Sequence, residues 1–234
     1  SRWFESVLKL LLQLYRPVSS DQVYDHVSGR VKHRHSCHLT FDDGHLSFYT
    51  TVLPLITRYQ VPVSLFLSPE VVESGRNFWF QEVAGFNPAL LRKSVEEVVG
   101  QAFAQQALGV EALLKLLPVD QIHAVIRHFQ QNHNLAPAPR LNINLAELDL
   151  IAKSPLVTLG AHTLTHPVLA NETDARSRDE IVQSVERLSR LLGRPVTTFA
   201  YPNGIPQLDF TQREQESLQQ AGIKMAFSTW KRPL

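Results

Sequence analysis

Two neighbouring carboxylates and two spaced histidines are the residues of this chain whose types and spacing best suit chemistry. Asp42 and Asp43 stand side by side in LTFDDGHLSF, after an apolar run and immediately before Gly44. His162 and His166 stand four residues apart in GAHTLTHPVLA, again after an apolar run. Adjacent carboxylates at the end of a buried strand repel each other and lose hydration, so they need a compensating positive charge.

One carboxylate and two imidazoles form a three-ligand set for a divalent metal ion. Three protein ligands with one position left for water are typical of a catalytic rather than a structural site. This mixed nitrogen and oxygen set suits zinc, with cobalt and nickel as alternatives, better than calcium. One carboxylate would bind the ion and the other would act as a base beside it. The spacing alone leaves open which carboxylate takes which role.

Each motif alone also has an ordinary structural explanation. Asp and Gly both favour turns, so Asp-Asp-Gly commonly marks one. Pro167 disfavours a helical conformation at His166, so we expect an irregular turn between the two histidines. Thr163 and Thr165 could donate hydrogen bonds around the ligands or form that turn, and the turn is favoured. Only the joint placement of the motifs is specific.

The elements that must position these residues are short β-rich runs that alternate with helical patterns. Predicted strands cover residues 37–41, 61–67, 156–160, 196–200 and 223–228, and predicted helices cover residues 47–59, 178–192 and 211–221. Gly193 follows the second helix, as expected at a helix end. Strands separated by helices of this length favour parallel β–α units.

Three polar loops follow three of the predicted strands. Asp42 and Asp43 follow the first strand, His162 and His166 follow the third, and YPNG (201–204) follows the fourth. The carboxyl ends of parallel strands share one face, where α/β barrels and sheets build their sites. The sequence therefore predicts that these loops converge on one site.

A stretch without strand signals interrupts the alternation. Residues from about 81 to 133 are rich in Gln, Ala and Leu, and Pro118 is expected to separate two helices within them. We interpret this stretch as a helical insertion in a single domain that spans residues 1–234. A solvated helical pair is the favoured interpretation, and a lid or an oligomer surface is the alternative.

Composition narrows the class of protein. The chain has 234 residues, 44% of them hydrophobic and 19% charged, as in an ordinary globular protein. A formal charge of +1 disfavours nucleic acid as a partner. The apolar run VLKLLLQLY is too short to span a membrane. No signal peptide is visible, but a trimmed chain would lack one, so neither compartment nor oligomeric state is assigned.

Two further groups are weaker candidates. Cys37 is the single cysteine, so an internal disulfide is excluded. Histidines 33, 35 and 38 lie near the aspartate pair and could form a second metal cluster, but their basic setting, VKHRHSCH, disfavours it.

Longer motifs resemble those of a known family. LTFDDGHLSFYTTVLPLITRYQVPVSLFLS and GAHTLTHPVLA resemble the first two motifs of the polysaccharide deacetylase family, carbohydrate esterase family 4, and FAYPNG resembles the third. The similarity runs in order from about residue 36 to 228. It implies a distorted (β/α) barrel and metal-dependent removal of N-acetyl, sometimes O-acetyl, groups from an amino-sugar carbohydrate. NFWFQEV (77–83) also resembles a feature of deacetylases with a helical insertion.

The resemblance assigns roles to individual residues. Carried over by position, Asp42 would be the general base, and Asp43, His162 and His166 would be the metal ligands. The implied cofactor is a divalent metal ion, zinc in the first place.

The third motif implies further site residues. The family uses a backbone N–H of this motif to stabilise the oxyanion, and the matching position here is Asn203 or Tyr201. Tyr201 could also form a wall for the sugar or be a buried aromatic beneath the loop.

Two departures from the family pattern matter. Ala200 stands where many members carry an arginine that orients the base. No histidine follows His166, so the family's late histidine, its general acid, has no match, and His45 is not assigned that role. Two alternatives therefore stay open. One is a weak or inactive carbohydrate-binding relative, and the other is a deformylase or deacylase acting on a lipid-linked amino sugar.

Overall fold

Five parallel strands form the main sheet in the computed structural model, which describes residues 2–136 and 138–230. In chain order the strands are β1 Arg16–Pro17, β2 Ser36–Cys37, β3 Leu39–Phe41, β4 Val63–Leu67, β5 Val157–Ala161, β6 Thr198–Ala200 and β7 Met225–Phe227. In the main sheet each strand pairs with the next, giving the order β3-β4-β5-β6-β7, and β1 pairs separately with β2. This sequential parallel order, curled into a half-barrel, confirms the predicted fold class.

The first predicted strand, residues 37–41, is divided in the structure. Its first residue belongs to β2, whereas β3 begins at Leu39. His38 lies between them, with Nδ1 2.7 Å from the Val18 carbonyl oxygen and Nε2 2.8 Å from the Ser64 hydroxyl oxygen. Burial lowers the pKa of the His38 imidazole. The ring is thus held by both neighbours at the point where the strand is interrupted.

Helices surround the sheet. They are α1 Arg2–Leu14, α2 Ser20–Val27, α3 Leu53–Tyr59, α4 Pro69–Ser74, α5 Trp79–Val83, α6 Pro88–Val99, α7 Gln101–Ala104, α8 Val110–Leu114, α9 Val119–Asn132, α10 Leu145–Ala152, α11 Asp174–Leu192 and α12 Gln212–Gln220. The predicted helix over 47–59 begins as a π-helical turn, Phe48–Val52, and continues as α3.

The longest helix, α11, begins earlier than the predicted residue 178. The Thr173 side chain accepts a hydrogen bond from the Arg176 N–H and caps its first turn. Gly193, with φ of 63°, ends it in the left-handed conformation, as the sequence predicts. The buried face of the helix carries the predicted apolar residues Ile181, Val185 and Leu188.

Five helices, α5–α9, form the insertion, so the prediction of two helices over 81–133 is wrong in number. Pro118 does separate α8 from α9, as predicted. We call residues 79–132 the insert. Its apolar residues pack into a cluster of their own, the insert core: Trp79, Val83, Leu91, Val95, Ala104, Val110, Leu114, Leu117, Ile122, Val125, Ile126 and Phe129. The expectation of a solvated helical pair is therefore wrong, because these apolar faces pack against each other.

A separate cluster, the barrel core, packs the helices against the sheet. It joins strand residues such as Leu65 and Leu159 to Ile56 of α3 and Ile181 of α11. Burying one such side chain stabilises the fold by about 1.5–3 kcal/mol. Among the described residues, no member of the insert belongs to this cluster. The sheet that carries the strand-end loops thus has its own core.

Candidate metal centre and active-site pocket

The loops after β3 and β5 bring three potential metal ligands together. Asp43 Oδ1 lies 3.6 Å from His162 Nε2 and 3.4 Å from His166 Nε2. One ligand atom from each residue lies within 4.8 Å of the others, and the described residues contain no second group of this kind. The three side chains therefore lie close together, as the sequence predicts.

His162 is oriented by the neighbouring strand. Its Nδ1 lies 2.7 Å from the carbonyl oxygen of Ala200, at the end of β6. Because a carbonyl oxygen only accepts, Nδ1 carries the hydrogen and Nε2 keeps a free lone pair. That lone pair is on the nitrogen nearest Asp43. A backbone acceptor on the far ring nitrogen is a common support for a metal-binding histidine.

His166 is held among aromatic side chains of the NFWFQEV segment. Its ring centroid lies 5.3 Å from that of Phe78 and 5.0 Å from that of Phe80. The Trp79 indole N–H donates to the His166 carbonyl oxygen at 3.4 Å. Burial lowers the pKa of His166 well below its usual range, so the ring is neutral, the form that binds metal.

Asp43 supplies a buried oxygen that no hydrogen bond satisfies. Among the described residues none donates to its Oδ1. Burial raises the pKa of the Asp43 carboxyl, His162 opposes this rise, and the charge of neighbouring Asp42 adds to it. A buried carboxylate oxygen without a hydrogen bond lowers the stability of the folded protein. Together with the imidazoles of His162 and His166 it forms a donor set that fits a divalent cation.

The backbone around these residues adopts left-handed conformations. Asp43 and Gly44 both have φ of 68°, and His166 and Asn203 have φ of 63° and 57°. At Gly44 a Cβ atom would lie 2.5 Å from the Leu67 side chain, so glycine is required there. Left-handed non-glycine residues each cost on the order of 1 kcal/mol and cluster at functional sites. The irregular turn predicted between the two histidines is confirmed.

A buried carboxylate fixes the loop between the histidines. Glu180 on α11 accepts hydrogen bonds from the N–H groups of Leu164 (2.9 Å) and Thr165 (2.8 Å). It also accepts from the Thr165 hydroxyl at 2.7 Å and pairs with Arg176 at 3.1 Å. Burial raises the pKa of Glu180, and these donors oppose that rise. Thr165 therefore does more than form a turn, since it joins the loop to α11.

The three-ligand cluster lies in a pocket of about 440 Å³. All six residues singled out from the sequence line it, on the side formed by the barrel loops: Asp42, Asp43, His162, His166, Tyr201 and Asn203. The insert forms the other side: Trp79, Phe80 and Val83 belong to the NFWFQEV segment singled out from the sequence, whereas Ala84, Glu111 and Lys115 were not identified there. The pocket is therefore built by two parts of the chain with separate cores.

The remaining predicted residues differ in exposure. Asp42 is exposed, whereas Tyr201 is only 6% exposed and stacks on Phe210 with ring centroids 3.6 Å apart. Tyr201 is thus a buried aromatic beneath the loop that also lines the pocket. The Asn203 side-chain oxygen accepts a hydrogen bond from the Lys115 ammonium group at 3.1 Å.

Contacts between backbone and side chains dock the insert beside the loop that carries His162 and His166. The Asn171 side-chain amide donates to the Lys115 carbonyl oxygen at 2.6 Å. The Glu172 carboxylate accepts from the Val119 N–H at 2.7 Å. Asn171 and Glu172 both lie shortly after His166 in the chain. The junction between α8 and α9 is therefore fixed against the barrel at the pocket.

Histidines outside the pocket do not join the site. His45 is exposed, its Nδ1 lies 2.8 Å from the Ser47 hydroxyl, and it does not line the pocket. His38 has both ring nitrogens within hydrogen-bond distance of oxygen atoms, as described above. In the described ranges, the candidate second cluster of histidines 33, 35 and 38 does not bring three ligand atoms together.

Comparison with known proteins identifies the family of this chain. A sequence profile described as polysaccharide deacetylase matches residues 29–226, which is most of the chain. The chain therefore belongs to the polysaccharide deacetylase family. Membership of this family supports the conclusion that the chain is a hydrolase that removes acetyl groups from a polysaccharide. A comparison with curated proteins gives no match.

Solved structures of deacetylases share the fold at low sequence identity. The chain is 20% identical to IcaB from Ammonifex degensii, with a TM-score of 0.64, covering 97% of this chain and 75% of that one. Streptococcus pyogenes deacetylase PplD gives 15% identity, a TM-score of 0.60 and coverage of 96% and 70%. The BpsB deacetylase domain from Bordetella bronchiseptica is 17% identical, with a TM-score of 0.58, covering 95% of this chain and 75% of that one. Within the residues that the structure describes, no helix is both long and apolar enough to cross a membrane.

Proposed function

We propose that the protein is a metal-dependent deacetylase that removes N-acetyl groups from an amino-sugar polysaccharide or oligosaccharide. One observation carries this proposal. Asp43 offers a buried oxygen that no described residue hydrogen-bonds, this oxygen lies beside the imidazoles of His162 and His166, and the Asp42 carboxylate lines the same pocket. Family membership supports the deacetylation itself, and the donor set supports the dependence on metal.

Asp43, His162 and His166 would hold the ion. Two nitrogen ligands and one oxygen ligand favour zinc, with cobalt and nickel as alternatives. When bound, a divalent ion polarises the acyl carbonyl and makes a water molecule more acidic. The neutral state of His166 and the orientation of His162 by Ala200 prepare both nitrogens for this role.

Asp42 would act as the general base. It follows β3 directly, lines the pocket and is exposed, so its carboxylate can reach the attacking water. Accepting a proton from that water as it attacks contributes about 10²–10⁴-fold to the rate.

The oxyanion of the tetrahedral intermediate needs a donor from the third motif. The Tyr201 N–H already donates to the Phe227 carbonyl oxygen at 3.1 Å. This favours the N–H of Asn203, whose left-handed conformation turns the backbone at the pocket. Tyr201, Trp79 and Phe80 would then serve as walls against which a sugar ring packs. PplD was solved in complex with acetate, the acid that deacetylation releases.

The test is acyl release combined with metal analysis. The zinc-loaded protein is incubated with N-acetylglucosamine oligomers, an O-acetylated sugar and an N-formylated amino sugar, and acetate and formate are measured. We expect acetate from the N-acetylated oligomers, and Asp42→Asn should retain metal but release little. Formate alone would replace the proposal with a deformylase. Sugar binding without any release would replace it with a carbohydrate-binding protein.

A further inference from the structure

Cleavage of an amide requires a proton donor for the departing nitrogen, because an amine leaves poorly as an anion. This requirement follows from the proposed function and directs the search to the side chains that line the pocket. Asp42 is assigned there to accept a proton, and Asp43, His162 and His166 are assigned to metal. Among the described residues that line the pocket, three other side chains carry dissociable protons: Lys115, Glu111 and Tyr201.

Two of these three candidates suit the task poorly. Burial raises the pKa of the Tyr201 phenol, so this group holds its proton tightly. Its ring is also fixed by stacking on Phe210. Glu111 is exposed, and no described residue holds its carboxylate in place at the pocket. Lysine side chains, in contrast, carry a proton at neutral pH and can give it up.

Lys115 is held in place at the pocket from both ends. The Asn171 side chain binds its backbone carbonyl, and its ammonium group donates to Asn203, the residue favoured for the oxyanion. The positive charge is also felt at the ligand cluster. It is a minor cause, after burial and His162, of the lowered pKa of His166. The ammonium group therefore lies beside the position where the acyl group would be bound.

We propose that Lys115, supplied by the insert, donates the proton to the leaving amine. When the tetrahedral intermediate collapses, the carbon–nitrogen bond breaks and its electron pair stays on nitrogen. That nitrogen takes a proton from the Lys115 ammonium group, leaving the neutral lysine amine. Asp42 meanwhile holds the proton taken from water, and its return to Lys115 through solvent restores both groups. The products are the free amine and acetic acid.

The test compares substrates that differ in their need for a proton. An N-acetylated oligosaccharide has an amine leaving group, whereas 4-nitrophenyl acetate has a leaving group that departs without protonation. In the full, zinc-loaded chain, Lys115→Met should lower kcat/KM for the oligosaccharide by about 10²-fold or more. The change for the aryl ester should be less than about threefold. Lys115→Arg keeps the charge but not the ability to give up a proton, so it should resemble Lys115→Met.

The matched control is Lys93→Met, since Lys93 is an exposed lysine of α6 in the same insert. It should change neither activity. Equal losses on both substrates in Lys115→Met would overturn the inference and show that Lys115 only positions Asn203. An unchanged rate on the oligosaccharide, or full rescue by arginine, would also overturn it while leaving the proposed function standing. A wild-type chain that releases no acetate from the oligosaccharide would overturn both.

Discussion

The two sides of the pocket are built in different ways. On the barrel side, the candidate metal ligands lie in strand-end loops whose backbones adopt left-handed conformations at Asp43 and His166. Buried partners fix them, with Glu180 holding the loop and Ala200 orienting His162. On the insert side, Lys115 is an exposed residue at the end of a short helix.

The difference separates two requirements of the reaction. Metal ligands must be placed to within fractions of an ångström, which strained loops on a buried sheet can provide. Side chains that pack against a sugar tolerate more variation, and helices with a separate core can provide them, with Lys115 held individually by Asn171 and Asn203. The barrel side should therefore control metal binding, whereas the insert side should control turnover and substrate choice.

The largest effect on turnover without loss of metal is expected at Asp42. Asp42→Asn keeps the size of the side chain but removes the base, so kcat/KM should fall by about 10²–10⁴-fold. Zinc content should stay at the wild-type level. Loss of zinc as complete as in Asp43→Asn would show that both carboxylates bind the ion.

Replacing most of the insert should separate the roles of the two sides of the pocket more directly. We expect a chain in which a short flexible linker replaces residues 84–133 to fold and bind zinc, because the barrel core contains none of these residues. Deacetylation of an N-acetylated oligosaccharide should fall by about 10²-fold through loss of Lys115. Thermal unfolding and zinc titration check both points. Loss of a cooperative unfolding transition would show that the insert is required for the barrel.

A smaller effect is expected at Glu180, which supports the ligand loop without lining the pocket. Glu180→Ala should weaken zinc affinity by about 10–100-fold, the range found for groups that orient ligands. Glu180→Gln should do less harm, because its amide oxygen still accepts from Leu164 and Thr165.

Competition with a zinc-binding dye measures the zinc affinity of both Glu180 variants. The matched control is Glu147→Gln, since Glu147 caps α10 and pairs with Arg140 outside the pocket. Unchanged zinc affinity in a folded Glu180→Ala protein would remove this residue from the account of the barrel side.

The smallest effect is expected in the acid sensitivity of the metal-free protein. Burial holds the pKa of His166 well below its usual range, whereas an unfolded histidine titrates near about pH 6.5. Below that pH the unfolded chain binds a proton that the folded chain does not. The free energy of unfolding therefore falls with falling pH, by at most about 1.4 kcal/mol per pH unit for one group.

Denaturant titrations with a chelator present, from about pH 7 to about pH 5, measure this slope. His166→Phe should show a shallower fall than wild type, since phenylalanine has no proton to bind. Equal slopes would contradict a buried, neutral His166.

Most of the barrel side could be predicted from the sequence, whereas on the insert side only the NFWFQEV segment was singled out. Parallel strands place their carboxyl ends on one face, so the motifs after three strands had to meet. The turn between the histidines followed from Pro167. Lys115, in contrast, is one cation in the apolar run LLKLL. Its place at the pocket depends on Asn171 and Glu172, and no local pattern records those contacts.

Glu180 shows a second reason for what the sequence does not reveal. In the predicted helix over 178–192 it reads as one more polar residue on an amphipathic pattern. It is fully buried because the irregular loop leaves the N–H groups of Leu164 and Thr165 without helical partners. The number of helices in the insert was missed for a related reason, since short helices depend on packing more than on propensity.

The central claim is that Asp43, His162 and His166 hold one divalent ion on which deacetylation depends. The most direct test strips the protein with a chelator, reloads it with zinc, and measures bound metal and acetate release together. Wild type should regain one zinc ion per chain and its activity. Asp43→Ala, His162→Ala and His166→Ala should each fail to regain either, because three ligands leave no redundancy. Stoichiometric zinc in two of these variants, or full acetate release by the stripped protein, would contradict the account.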